Sequence, residues 1–201
     1  VRDAEWHRPV EGQPRKAKGA FVVLRTDQVR MPDGDVAARD VVEHPGAVAI
    51  VALDDAGRVL LIRQYRHPAG HLLWEVPAGL RDVPGEPVHR TAERELLEET
   101  GYTARTWHVL ADCFTSPGIS TERVTVFLAR GLAEVSDAER GPPLRHEEAD
   151  LRLAWVPLER AVQLFLTGEL HNGVAAVGIL AAYAARQGGF AMLGEAGAGE
   201  G

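Results

Sequence analysis

The stretch from Ala47 to Leu53 is apolar at every position, the pattern of a strand buried in a core. Asp54-Asp55-Ala56-Gly57 then reads as a tight turn into Val59 to Gln64, so the two runs predict a central hairpin. Upstream, Ala20 to Leu24, Gln28 to Met31 and Val36 to Val42 read as short strands, with turn chemistry at Pro32-Asp33-Gly34-Asp35. They predict a small antiparallel meander, closed off by His44-Pro45-Gly46. Val1 to Gly19 is polar, carries Pro9 and Pro14 and shows no sustained period, so it reads as an arm or irregular lead-in.

Helical spacing appears at Glu86 to Gly101, where Pro87 suits a first turn and Gly101 a left-handed exit. Strand-like runs follow at Trp107 to Leu110, Val124 to Ala129 and Leu151 to Val156. Leu158 to Leu166 and Gly173 to Arg186 read as helices, the second with Asn172 as its N-cap. From Gly194 the chain is Gly-rich and predicts a disordered tail. Strands mixed with a few helices, without regular alternation, predict an α/β sandwich rather than a doubly wound sheet.

Composition narrows the class. With 201 residues, 45% hydrophobic and 25% charged, the chain is an ordinary globular protein with room for one full domain. Its net charge of -7 and the lack of a basic patch argue against nucleic-acid binding. Cys113, the single cysteine, has no intramolecular partner, and no secretory leader pattern is visible, which predicts a reducing, cytoplasmic location. No apolar stretch approaches the roughly 20 residues that span a bilayer.

The candidate chemistry lies in the helix. Glu95 and Glu99 stand one turn apart on one face, with Glu98 within reach. Like charges at these spacings destabilise a bare helix by about 0.2–0.5 kcal/mol per pair, which a hard divalent cation reverses. The bland alternative is an exposed acidic helix in which Arg90, Arg94 and Glu98 form neighbouring ion pairs. The full string decides against it. Gly79, Glu86 and Arg94-Glu95-Leu96-Leu97-Glu98-Glu99-Thr100-Gly101-Tyr102 closely resemble the Nudix box, G-x5-E-x7-R-E-U-x-E-E-x-G-U, where U is a bulky aliphatic residue. Two departures stand out: six residues rather than five separate Gly79 from Glu86, and Tyr102 is aromatic. Neither changes the spacing between Glu95 and Glu99.

The resemblance covers roughly residues 46 to 185 and implies the family's α/β/α sandwich with a mixed sheet, here preceded by the N-terminal antiparallel meander. It implies magnesium, or alternatively manganese, held by Glu95, Glu98 and Glu99 with the backbone carbonyl of Ala78. Arg94 would orient a glutamate, and Glu86 would be structural or at the edge of the metal shell. The domain division expected is 1–45 for arm and meander, 46–188 for the hydrolase domain and 189–201 for the tail.

The box identifies diphosphate chemistry but not what the phosphates carry. Outside it, Gln64-Tyr65-Arg66, Trp74 to Gly79 and Ser116 to Glu122 resemble segments of bacterial ADP-ribose pyrophosphatases. That branch implies hydrolysis of ADP-ribose to AMP and ribose 5-phosphate, with Arg66, Trp74, Glu75, Ser116, Gly118 and Glu122 as substrate-binding residues. It also implies a late-loop glutamate as general base, which falls on Glu147 or Glu148. A homodimer in which the meander crosses to its partner is implied as well. The competing readings are a Nudix hydrolase for another nucleoside diphosphate sugar or a dinucleotide, and a non-catalytic ADP-ribose sensor.

Overall fold

In a computed structural model of the chain, the residues described are 9–136, 150–194 and 196. Glu147 and Glu148, and most of the Gly-rich tail, lie outside them. The chain divides into two compact units, Val1–Gly46 with Phe114–Arg123, and Ala47–Cys113 with Val124–Gly201.

The first unit carries an antiparallel sheet in the order β1-β2-β3, formed by β1 (Val10–Lys18), β2 (Val23–Arg30) and β3 (Val36–Glu43). Two expectations change here. The supposed lead-in contains strand β1, and the two short runs around Thr26-Asp27 are one continuous strand. Neither shows a period because pairing, not burial alternation, holds them: β1 lies at the sheet edge, and its register breaks on either side of Gly12, the second break spanning Pro14. A proline costs no ladder bond in such a gap. In β2 the polar Asp27 is buried because Arg25 Nε donates to its carboxylate at 2.8 and 3.0 Å.

The second unit is an α/β/α sandwich. A mixed sheet runs β7-β4-β9-β8, from β7 (Ala78–Leu80), β4 (Ala47–Ala52), β9 (Arg123–Glu134) and β8 (Tyr102–Phe114). β4 is parallel to β9 and antiparallel to β7. A second sheet, β10-β5-β6, joins β10 (Arg152–Pro157), β5 (Arg58–Arg66) and β6 (His71–Glu75) in antiparallel register. The helices are α1 (Val88–Thr100), α2 (Leu158–Leu166) and α3 (Gly173–Gln187).

The unbroken apolar run in β4 has a physical cause. Val48, Ile50 and Ala52 face a core shared with Ala92 and Leu96 of α1. Ala49, Val51 and Leu53 face the opposite core, with Leu158 and Ala161 of α2 and Ile179 and Ala182 of α3. Buried on both faces, the strand admits no polar position.

Helix α1 begins later than the composition suggests. Pro87 sits at the N-cap with ψ 142°, so the helix starts at Val88 and leaves Glu86 in the preceding loop. Its exit is as expected, with Gly101 left-handed at φ 75° and its N–H donating to Leu97 O. The Asn172 cap is also present, its side chain accepting from Ala175 N at 2.8 Å. Among the described residues, no helix is long and apolar enough to cross a membrane.

Candidate active site

The loop before α1 and the first turns of that helix are tied together through Arg94. Glu86 accepts from Arg94 Nε at 3.3 Å, from Arg94 Nη2 at 3.2 Å and from Thr91 Oγ1 at 2.9 Å. The other edge of the same guanidinium donates from Nη1 to Glu95 at 2.7 Å and to Glu98 at 3.3 Å. One arginine therefore sets the directions of three carboxylates, using the forked donor geometry that lysine lacks. The hydrogen bond from Arg94, then that from Thr91, holds the Glu86 carboxyl below the usual carboxylate range. Conversely, the Glu86 hydrogen bond and the charge of Glu95 push Arg94 further up.

Glu99 is fixed differently. It is 2% exposed, and its Oε2 accepts from the backbone N–H of Ala78 at 2.9 Å. That hydrogen bond joins α1 to β7. At the next residue, Gly79, an added Cβ would lie 2.0 Å from Cδ of Glu95 and 2.3 Å from its Oε1. Only glycine lets the Glu95 carboxylate occupy this place.

Among the described residues, no three His, Cys, Asp or Glu side chains stand drawn together as a ready ligand set. Arg94 lies among Glu86, Glu95 and Glu98 instead, as their counter-charge. The donor chemistry nevertheless fits a hard divalent cation. Three carboxylates gather around one guanidinium, all the donors are oxygens, and the Glu98 side chain is 47% exposed.

Of the substrate-binding candidates in this unit, Arg66 and Glu75 are brought together. Arg66 Nε donates to both Glu75 oxygens at 3.0 and 3.1 Å, and Nη2 donates at 2.6 Å. Glu75 is buried, while the Arg66 side chain is 42% exposed. Trp74 is not brought to them. It lies on the opposite sheet face, beside its cross-strand partner Arg63, whose guanidinium sits 5.5 Å from the ring centroid, and it packs against the main core.

Ser116, Gly118 and Glu122 belong to the first unit. The Ser116 carbonyl accepts from Ile119 N at 3.0 Å and Ser120 N at 2.8 Å, folding the loop around Gly118 into a turn. Glu122 accepts from Thr115 Oγ1, and one of its oxygens lies 3.6 Å from Nε2 of His44. The loop is further held by Val42 N donating to Ile119 O at 2.7 Å.

Sequence reasoning gave no site role to Thr91, to His44 or to Gln64, although Gln64 stands in the segment Gln64-Tyr65-Arg66 that carries the resemblance. Thr91 and His44 carry no signal in the chain, because their partners are set by folding. Gln64 does carry one: it is an uncharged polar residue at the end of an apolar strand, and it is 4% exposed.

A family model of the NUDIX domain matches residues 43–176. The chain is 53% identical over 170 residues to an ADP-ribose pyrophosphatase of Mycobacterium tuberculosis, covering 85% of this chain and 80% of that protein. It is 35% identical over 161 residues to an ADP-ribose pyrophosphatase of Bacillus subtilis, covering 80% and 84% respectively. In fold it is similar to the crystal structure of an ADP compounds hydrolase, with TM-score 0.76 and 20% identity over 94% of this chain and 98% of that one. The arginine-tied glutamates of α1, the glycine beneath Glu95 and the extent of these matches lead to one conclusion: the chain belongs to the Nudix family.

Proposed function

We propose that this protein is a hydrolase that cleaves the diphosphate of ADP-ribose, giving AMP and ribose 5-phosphate, with magnesium as its cofactor. The observation that carries this reading is the carboxylate face of α1, with Glu95 and Glu98 oriented by Arg94 and Glu99 by the Ala78 amide. The choice of ADP-ribose is supported by likeness to two ADP-ribose pyrophosphatases, each matched over at least 80% of this chain.

In this reading Glu95, Glu98 and Glu99, with the Ala78 carbonyl, hold the magnesium. When bound, the ion offsets the diphosphate charge and acidifies water. Arg94 keeps the glutamates in place through its two edges, and Glu86 anchors Arg94 in turn. Arg66 supplies forked donors to a phosphate, and Glu75 holds it near that position in the free protein. A glutamate at 147 or 148, with Glu147 preferred, removes a proton from the attacking water. The water oxygen bonds to phosphorus as the bridging P–O bond breaks.

Ser116, Gly118 and Glu122 are assigned to the substrate's sugar and phosphate groups, and Trp74 to substrate binding at one remove, through its strand. The N-terminal region, 1–45, is assigned to a homodimer interface, 46–188 to the hydrolase domain and 189–201 to a tail. The meander suits an interface because it exposes Val10, Leu24 and Val36, and a small sheet with an apolar surface is marginal alone. The single cysteine suits a reducing cytoplasm.

The test is hydrolysis of ADP-ribose by the purified protein with magnesium, with manganese and after exhaustive chelation, beside a panel of other nucleoside diphosphate sugars and dinucleotides. AMP should form from ADP-ribose, stop forming on chelation and resume when metal is restored. Faster cleavage of another panel member would move the substrate assignment. Full activity after chelation would end the metal assignment.

A further inference from the structure

Gln64 lies on the same face of β5 as Ile62 and Arg66, and its cross-strand partner is Leu73. Glu75 pairs with Ile62, and His71 with Arg66. Four residues of strand, about 13 Å, separate Ile62 from Arg66. For Arg66 to reach Glu75 at 2.6 Å, the two side chains must converge along this face and meet beside Gln64.

The Gln64 amide nevertheless takes no part in that pair. Although the residue is 4% exposed, no side-chain hydrogen bond to it occurs among the described residues. No fully enclosed side-chain N or O atom among those residues lacks a partner. Part of the exposure of Gln64 therefore belongs to its amide, on the face of β5 that also carries Arg66. An amide that meets solvent and has no partner within the fold makes its hydrogen bonds to water in the free protein. Such a group can exchange that water for a ligand's hydrogen bonds when something binds against it.

We infer that Gln64 is a substrate-contact residue, and that it hydrogen-bonds a sugar hydroxyl adjoining the phosphate held by Arg66. This rests on the hydrolase reading above. The chemistry follows from the amide, which offers a donor and an acceptor on one group. A bare phosphate oxygen accepts only and would leave the amide oxygen unmatched, whereas a hydroxyl both donates and accepts. Arg66 supplies the phosphate donors, so Gln64 is the neighbour that separates a sugar phosphate from an inorganic one.

The test uses the full-length protein with Gln64→Met and, as a second apolar replacement, Gln64→Leu. Kinetics with ADP-ribose and magnesium are measured beside melting temperature, together with binding of AMP, ribose 5-phosphate and inorganic pyrophosphate. Loss of one neutral hydrogen bond corresponds to a rise in KM of about 3- to 10-fold. The same factor is expected in the dissociation constant of AMP or of ribose 5-phosphate. Pyrophosphate affinity and melting temperature should not fall, since an amide that lacks an internal partner contributes nothing to the free protein. Unchanged KM and unchanged sugar-phosphate binding in a folded variant would overturn the inference. So would an equal loss of pyrophosphate binding, or failure of both variants to fold, since either makes Gln64 structural. A wild type that does not cleave ADP-ribose defeats the hydrolase reading instead, and the sugar-phosphate binding arm still tests Gln64.

Discussion

Gly79 and Glu95 occupy one space: a Cβ on the glycine would sit 2.0 Å from the carboxylate carbon of the glutamate. Strand β7 and helix α1 are thus packed at a distance that only a residue without a side chain permits. The prediction for Gly79→Ala is displacement of the Glu95 carboxylate, away from Arg94 and from any metal it holds. Misplacement of a reacting group by about 1 Å can cost on the order of 100-fold. We expect kcat/KM for ADP-ribose to fall by about that factor and metal affinity to weaken, while the circular dichroism spectrum is preserved. Wild-type kinetics in the alanine variant would show that Glu95 can relax freely.

Glu99 offers a separation of charge from shape. In Glu99→Gln the amide oxygen can still accept from Ala78 N, so the link between α1 and β7 survives. The carboxylate charge does not. Turnover should drop by at least about 100-fold, a larger effect than that usual for groups that only support metal ligands, with little change in melting temperature. Comparable losses of stability and activity would make Glu99 a structural clasp alone.

The pair Glu159–Arg186 joins α2 to α3, and the hydrogen bond from Arg186 lowers the Glu159 carboxyl from its ordinary value of 4.5. A carboxyl depressed in the folded state stabilises the fold above its unfolded value, and that contribution disappears as pH falls through the folded one. Glu159→Gln should therefore be slightly less stable than wild type in urea at neutral pH. The difference should close in acid, well below 4.5. A constant difference across that range would mean the pair contributes no charge interaction.

Helix α3 approaches the mixed sheet through Gly178, where an added Cβ would lie 2.8 Å from Val51 Cγ2 and 3.0 Å from Val126 Cγ1. Gly178→Val would overfill this contact. Overpacking of a core costs roughly 1–3 kcal/mol, so a lowered melting temperature is expected, measured by calorimetry. Activity per folded molecule should be retained, because α1 packs on the other face of the sheet.

Much of this protein is legible in the chain itself. The buried strand β4, the turn from Asp54 to Gly57, the left-handed end of α1 at Gly101 and the cap at Asn172 rest on local rules; the hairpin expected across that turn does not form, because β4 pairs with β7 and β9, β5 pairs with β10 and β6, and the single bridge Leu53–Val59 joins the two. Apolar runs must be covered, and particular backbone angles require particular residues. The spacing of Glu95, Glu98 and Glu99 is equally local, since a helix alone places them on neighbouring positions. What the chain does not contain is the partner of each side chain. Strand β1 exists because β2 offers it a ladder, and nothing in its own residues announces that. Arg94 ties Glu86 to Glu95, Gly79 makes room beneath α1, Glu75 holds Arg66, and Gln64 is left without a partner beside them. Each of these depends on contacts between residues far apart in sequence or on different elements, and such contacts are decided only when strands and helices pack.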